Sequence, residues 1–211
     1  MIQKAEDYVR QIFAGDASGH DAEHTFRVCR LALSLAREEG ADPEITALAA
    51  LLHDVDDRKL SPDTAHGLLR ARGFLEDQGM DETRIRRILT VISQVSFRGT
   101  DSVVPSTVEG KCVQDADRLD AMGAIGIART FAYGGSRGRP IYTPGEEPRL
   151  NMDGKAYENR TDGCSLNHFY EKLLLLKDRM NTGAGKRLAM HRHQVLKEFL
   201  EEFRKEWEAE V

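Results

Sequence analysis

Apolar residues recur at helical spacing through most of this 211-residue chain, and the segments that carry them begin and end at helix-capping residues. Asp42-Pro43 and Ser61-Pro62 are typical of helix starts, because an N-cap side chain is followed by a proline in the first turn. Gly40 stands where a glycine commonly ends a helix. Signals for β-strands are weak nearly everywhere, so the sequence predicts an all-α fold.

The predicted architecture is a single helical-bundle domain over residues 1–211, with about eight to ten helices. We expect helices over residues 2–13, 20–39, 42–55, 62–78, 81–97, 106–122, 123–133, 165–181 and 184–208. Residues 134–163 are instead rich in glycine, proline and charge and have no helical period. A long segment of this kind is usually functional or disordered, so it either covers a substrate or is a plain mobile excursion.

The composition is that of a globular protein and argues against several classes. Hydrophobic residues make up 40% and charged residues 31% of the chain. The net charge of −5 argues against binding to duplex nucleic acid. Three cysteines (Cys29, Cys112 and Cys164) without C-x-x-C spacing indicate a reducing compartment rather than a disulfide framework. Because no apolar run is long enough for a membrane span or a signal peptide, we expect a cytoplasmic protein without a membrane partner.

A histidine and an aspartate, His53 and Asp54, directly follow an apolar run that ends at Leu52. A buried carboxylate without a partner is costly, so a compensating group such as a metal ion is expected. His24 on the second helix and Asp117 on the sixth are further candidates, since the apolar stretches around them indicate that these helices pack together. Two imidazoles and two carboxylates suit Mn²⁺, Fe²⁺, Mg²⁺ or Zn²⁺, and ligand type alone does not choose among these ions.

His20 and His24 suggest an alternative metal site. Their i, i+4 spacing in HDAEH is formally similar to the zincin motif H-E-x-x-H. An aspartate replaces the glutamate of that motif, and no third ligand follows at a known spacing. The zincin interpretation also leaves His53 and Asp54 unexplained. We therefore expect His20 to lie beside the site or to face the substrate.

The order of a histidine, a His-Asp pair and a distal aspartate resembles the HD superfamily of metal-dependent phosphohydrolases. Local stretches are similar to one branch of small bacterial and archaeal HD hydrolases: HDAEHTFRV, LAALLHDVDD, VQDADRLDAMGAIGIARTFAYGG, GRPIY and NHFYEKLLLLKDRMNT. The resemblance implies the metal ligands His24, His53, Asp54 and Asp117. The match to DADRLD selects Asp117 over its neighbours Asp115 and Asp120.

The same resemblance implies a role for Asp57, three positions after the HD aspartate. In several branches of the superfamily an acid at this position handles the proton of the attacking water. The alternative is a solvated acid paired with Arg58 or Lys59. Asp56 could serve in place of Asp57, or could only shape the turn.

Cationic and polar side chains are expected to bind the substrate phosphates. Arg27 lies one helical turn after His24 and should face the same way. The full expected set is Arg27, Lys59, Arg118, His168, Lys172, Lys186 and Arg192. Four ligands favour a single ion, and a second ion is the disfavoured alternative because it would need a further histidine and only His66 lies between Asp54 and Asp117.

The resemblance implies hydrolysis of a (d)NTP to the (d)NMP and pyrophosphate, with Mn²⁺ as the expected ion. The metal-binding core is expected over residues 20–122, and the helices over 165–208 should complete the pocket. A 5′-nucleotidase or phosphodiesterase activity at the same site remains an alternative. A non-catalytic domain that senses a metal or a nucleotide is another. The protein is expected to be a monomer or a homodimer.

Overall fold

The computed structural model describes residues 1–15, 21–57, 62–65, 67–158 and 163–210, and every regular element within these ranges is helical. The α-helices are α1 (Ile2–Ile12), α2 (Ala22–Glu39), α3 (Pro43–Leu52), α4 (Pro62–Ala65), α5 (Leu69–Asp77), α6 (Glu82–Ser93), α7 (Val108–Asp120), α8 (Gly123–Ser136), α9 (Gly154–Glu158), α10 (Asn167–Glu171) and α11 (Gly183–Trp207). Two 3₁₀ helices cover Gly99–Asp101 and Leu173–Arg179. The predicted all-α class is confirmed. Within the described ranges, α4, α9 and α10 have four or five residues each, and the other eight helices are longer.

The chain divides into two compact units. The first comprises Met1–Phe97 and Ser102–Asp117, and the second comprises Arg98–Asp101 and Arg118–Val211. The expectation of a single domain over residues 1–211 stays a prediction. Among the described helices, none combines the length and the apolar character that a membrane crossing requires.

The core of the first unit is built around α3. This helix packs against α1, α2 and α6, and every residue from Ile45 to Leu52 is buried. A helix that is apolar on all sides is stable only when it is surrounded by other elements. Its C-terminal end is therefore also inside the unit, and this is where His53 and Asp54 follow.

The predicted caps of α2 and α3 are present. Asp42 accepts hydrogen bonds from the backbone N–H groups of Glu44 and Ile45, at 3.0 and 3.1 Å, and Pro43 follows in the first turn. Gly40 ends α2 with a φ of 71°, which is the left-handed conformation that glycine adopts readily.

The helix predicted over residues 62–78 is wrong as a single element. Gly67 and Leu68 have φ values of 103° and 55°, and residues in the left-handed region cannot continue a right-handed helix. The chain therefore forms α4 and α5 instead. Two other helices are shorter than predicted, since α3 ends at Leu52 and α6 ends at Ser93.

In the second unit, α11 packs against α8 and against the 3₁₀ helix Leu173–Arg179. Phe199 of α11 stacks on Phe169, with ring centroids 5.5 Å apart, and meets Phe131 of α8 edge-on at 5.8 Å. The helix predicted over 165–181 is replaced by α10 and this 3₁₀ helix.

Within the segment 134–163, residues 152 and 154 are joined to residues 100 and 101 by hydrogen bonds from backbone N–H groups. The N–H of Thr100 donates to the carbonyl of Met152 at 3.0 Å, and the N–H of Gly154 donates to the Asp101 carboxylate at 2.9 Å. Gly99 has a φ of 56°, and a Cβ atom at this position would collide with the carbonyl oxygen of Met152. Only glycine therefore fits at position 99, because the backbone there lies too close to Met152 for a side chain.

All three cysteines are buried and free. Burial raises the pKa of the Cys29 thiol to about 11 and that of Cys112 to about 12. Thiols with such pKa values carry very little thiolate near neutral pH, so these two behave as small core residues.

Candidate metal centre

Three side chains that can bind a metal converge in the first unit. His24 comes from α2, His53 follows the last residue of α3, and Asp117 comes from α7. One potential ligand atom from each residue lies within 4.8 Å of the other two. Both histidines are buried and Asp117 is half-buried, so the cluster lies at the edge of the core rather than on an open surface.

Asp54 lies against both histidines. Its Oδ2 atom is 3.4 Å from His24 Nε2, and its Oδ1 atom is 3.3 Å from His53 Nε2. Oδ1 of Asp117 is 3.5 Å from His24 Nε2 and 3.8 Å from His53 Nε2. The structure thus brings together all four residues that were predicted as metal ligands.

The proton position on His53 can be assigned from one hydrogen bond. Its Nδ1 atom lies 2.8 Å from the carbonyl oxygen of Ala50, and a carbonyl oxygen can only accept. The proton is therefore on Nδ1. A ligating histidine commonly donates its other N–H to a carbonyl in this way, which fixes the orientation of the ring.

The opposite nitrogen of His53 is a buried atom without a hydrogen-bond partner. Such an atom is costly unless something compensates it. In the neutral imidazole, its lone pair faces the acceptor oxygen of Asp54 at 3.3 Å. A cation between the two acceptors resolves this conflict. The four residues therefore fit a divalent metal ion by burial and by donor type.

The N-terminus of α2 holds His24 in place. Asp21 caps the helix by accepting a hydrogen bond from the His24 backbone N–H at 2.8 Å. The rings of His24 and His53 meet edge to face, with centroids 5.4 Å apart. His24 is thus grouped with His53, which follows α3, and with Asp117 of α7, as the HD pattern predicts. His20 lies outside the described residues, and its expected place beside the site stays a prediction.

The neighbouring acids of Asp117 are placed differently. Among the described residues, the three-residue cluster contains Asp117 and neither Asp115 nor Asp120. Asp120 is buried in the second unit and pairs with Arg129 at 3.0 Å. Asp115 is also buried.

The two acids that follow Asp54 have different environments. Asp56 is 3% exposed, and its carboxylate accepts hydrogen bonds from the backbone N–H groups of Arg70 and Ala71. It therefore shapes this part of the fold, which is one of the two roles considered for it. Asp57 is half-buried, and its backbone N–H donates to the Asp54 carbonyl at 3.0 Å. Its catalytic role stays a prediction.

The residues predicted to bind phosphate are spread over both units. Arg27 is half-buried on α2, and Lys186 is exposed in the first turn of α11. Lys59 and His66 lie outside the described residues, so their expected roles are untested.

Two of the predicted phosphate-binding arginines make hydrogen bonds within the second unit. Arg118 is buried and donates to the backbone carbonyl of Arg179. Arg192 donates to the carbonyl of Leu119 and packs against Gly123. Burial lowers the pKa of Arg192, although the nearby Asp120 carboxylate opposes that shift. Both guanidinium groups thus help to hold the second unit together.

Two other predicted residues, His168 and Lys172, meet around Tyr157. The rings of Tyr157 and His168 are inclined by 29° with centroids 6.5 Å apart, and Lys172 Nζ lies 5.6 Å from the centre of the Tyr157 ring. Tyr157 is not among the residues predicted to contact the substrate, because it lies in the segment without helical period. The available signal was an aromatic residue in the charged stretch GKAYENR.

Comparisons with known proteins agree with this arrangement. A family model described as the HD domain matches residues 21–122, a range that includes His24, His53, Asp54 and Asp117. The chain is 37% identical to the uncharacterized protein YpgQ of Bacillus subtilis, over 98% of this chain and 93% of that protein.

Two solved structures are similar over nearly the whole chain. An HD-superfamily hydrolase from Bacillus thuringiensis has 45% identity and a TM-score of 0.77, covering 99% of this chain and 97% of that one. The structure of B. subtilis YpgQ in complex with ADP has 34% identity and a TM-score of 0.78, covering 98% and 97%.

Proposed function

The chain belongs to the HD superfamily of metal-dependent phosphohydrolases, and we propose that it hydrolyses nucleoside triphosphates to the monophosphate and pyrophosphate. The observation that carries the proposal is the buried, unpartnered Nε2 of His53 beside Asp54, His24 and Asp117. Support for a nucleotide substrate comes from the ADP complex of B. subtilis YpgQ, which is 34% identical to this chain.

The proposed ligands of the metal ion are His24, His53, Asp54 and Asp117. A bound divalent ion lowers the pKa of water and stabilises negative charge on a phosphoryl oxygen. Mn²⁺ is the proposed ion, and Mg²⁺, Fe²⁺ and Zn²⁺ also suit a mixed set of nitrogen and oxygen ligands.

Asp57 is proposed to accept a proton from the attacking water. Its backbone is tied to the Asp54 carbonyl, which holds the Asp57 side chain one turn beyond a proposed ligand. Asp56 is unsuited to this task because both of its oxygens already accept hydrogen bonds from α5. In the reaction, the water oxygen bonds to the α-phosphorus, and the bond from that phosphorus to the oxygen of the departing pyrophosphate breaks.

The substrate contacts are proposed on two grounds. Arg27 follows His24 by one helical turn and is half-buried, so its guanidinium is proposed to bind phosphate. His168 and Lys172 are proposed to contact the nucleotide together with Tyr157, since the aromatic rings offer a stacking surface and the ammonium group offers a positive charge.

Lys59 and Lys186 are proposed as further phosphate contacts. Arg118 and Arg192 are weaker candidates because each already binds a backbone carbonyl.

The experiment that tests the proposal is a screen of nucleoside mono-, di- and triphosphates with Mn²⁺ or Mg²⁺ and with product identification. The expected products are a nucleoside monophosphate and pyrophosphate. Release of orthophosphate from a monophosphate would indicate a 5′-nucleotidase instead. Tight nucleotide binding without turnover would indicate a sensor. The matched control is His53→Ala, which should lose both metal and turnover.

A further inference from the structure

We propose that Asp56 is a positioning residue, which ties α5 to the turn that carries His53 and Asp54 and so prepares that turn to bind the metal. The inference rests on the proposed function only through the metal site, and it does not depend on which substrate is hydrolysed.

The start of α5 needs an acceptor from elsewhere in the chain. The first N–H groups of a helix have no partner within the helix. The N-cap residue of α5 is Leu68, whose side chain cannot accept a hydrogen bond. Asp56 fills this place: its Oδ1 accepts from Arg70 N at 3.1 Å and its Oδ2 from Ala71 N at 2.9 Å. Both oxygens of one carboxylate thus cap a helix that begins thirteen residues later in the sequence.

The bonds at Asp56 are favourable for two physical reasons. The carboxylate is 3% exposed, so water competes weakly for it. A negative charge at a helix N-terminus is also stabilised by the helix dipole and by charge-assisted hydrogen bonds. The link is therefore a firm attachment point for the residues beside it.

The turn over residues 53–57 is held from both sides. On the side of α3, His53 Nδ1 donates to Ala50 O and Val55 N donates to Leu52 O. On the side of α5, Asp56 binds the start of the helix, and Arg70 Nη1 lies 3.4 Å from Val55 O. His53 and Asp54 lie between these two attachments, so α5 helps to set where their ligand atoms point.

The attachment has a consequence for metal affinity. Without a cation, His53 Nε2 and Asp54 Oδ1 face each other at 3.3 Å as two acceptors, and a free turn would move them apart. Holding the turn keeps the ligands in place before the ion arrives. Losing a residue that orients metal ligands typically weakens metal binding about 10–100-fold.

The test is the metal affinity of Asp56→Asn, measured by titration calorimetry with Mn²⁺ in the absence of nucleotide. The amide NH₂ group cannot accept a backbone N–H, so one of the two bonds to α5 is lost. The dissociation constant should rise about 10–100-fold. The Co²⁺-loaded variant should also show an altered visible absorption spectrum, since the ligand geometry changes.

Asp81→Asn is the matched control. Asp81 caps α6 by accepting a hydrogen bond from Arg84 N at 3.0 Å, and it has the same chemistry at another helix start in the same unit. This variant should lose stability through its cap and keep the wild-type metal affinity. Wild-type affinity in Asp56→Asn, or an equal loss in Asp81→Asn, would overturn the proposal.

A second measurement uses the unmodified protein and stays informative if Asp56→Asn does not fold. Because coupling between two sites is reciprocal, metal binding should slow amide hydrogen exchange at the start of α5. Exchange in α6 should change less. Unchanged exchange in α5 on saturation with Mg²⁺ or Mn²⁺ would contradict the coupling. If the metal results hold and no nucleotide is hydrolysed, the proposed function fails and this inference stands.

Discussion

His53 and Asp54 are consecutive in the sequence and face each other with two acceptors, since Nε2 of the imidazole lies 3.3 Å from Oδ1 of the carboxylate. The hydrogen bond from His53 Nδ1 to Ala50 O leaves the lone pair on the Nε2 side in the neutral ring. Both residues are buried. A divalent cation bound between these two atoms would satisfy both of them, and the effect of metal on the stability of the protein should reveal it.

Asp54→Asn should largely remove the dependence of stability on metal. The amide NH₂ can donate to His53 Nε2, so the variant should unfold at no lower a temperature than the wild type in EDTA. The wild type should gain stability from Mn²⁺, by about 2.7 kcal/mol at a free concentration one hundred times the Kd. The variant should gain little. Thermal unfolding with and without Mn²⁺ checks this, and an equal gain in both proteins would show that Asp54 is not a ligand.

Asp57→Asn should separate catalysis from metal binding. The substitution keeps the size of the side chain and removes the charge that accepts a proton, so kcat should fall about 10²–10⁴-fold. Metal content should stay at the wild-type level because Asp57 is not among the four proposed ligands. The control is Asp63→Asn, at an exposed acid on α4, which should leave kcat unchanged. Loss of metal in Asp57→Asn would instead identify a fifth ligand.

Tyr157→Ala should weaken nucleotide use without affecting a phosphate substrate that lacks a base. Stacking of a base on an aromatic ring contributes about 1–3 kcal/mol, so KM for a nucleoside triphosphate should rise about 5–150-fold. Inorganic tripolyphosphate should keep the wild-type KM. Tyr157→Phe, which preserves the ring, is the matched control and should be close to the wild type. Equal effects of Tyr157→Ala on both substrates would point to a structural role.

His193 should make the folded protein less stable as the pH falls. Burial lowers the pKa of His193 below its usual range, and the positive charge of Lys177 adds to this shift. The unfolded chain therefore takes up the proton first, near pH 6.5. Since the unfolded state binds more protons, the free energy of unfolding decreases as the pH falls from about 6.5 to the folded pKa.

His193→Gln should lessen that pH dependence, because glutamine does not titrate. Urea unfolding in EDTA at a series of pH values between 7.5 and 5 measures the effect as the difference between variant and wild type. An identical pH profile for both proteins would show that His193 titrates alike in the folded and unfolded chains.

Features determined by neighbouring residues were predictable from the sequence. The cap at Asp42, the proline at position 43 and the glycine at position 40 all act within a few residues of their own position. The four candidate ligands were also predicted, because three helices with apolar faces must pack and the HD pattern places acids and histidines at their ends.

Features that depend on distant partners could not be predicted in this way. The cap of α5 comes from Asp56, and no local motif connects that carboxylate with the N–H groups of Arg70 and Ala71. The left-handed conformation of Leu68 is unfavourable for a branched side chain, so the local signal for a break there was Gly67 and not Leu68. Tyr157 likewise gained its neighbours, His168 and Lys172, only through the packing of the second unit.

The hydrogen bond between Thr100 and Met152 has a consequence for the folding of the chain during its synthesis. Residues 98–101 belong to the second unit although the residues on either side belong to the first, and their hydrogen bonds join positions about fifty residues apart. Because the ribosome synthesises the chain from its N-terminus, residues 98–101 emerge before residues 152–154. Their hydrogen bonds to residues 152–154 can form only after that later stretch has also emerged. Neither unit can then be obtained intact by cutting the chain at a single place, and any circular permutation has to keep this stretch continuous with both.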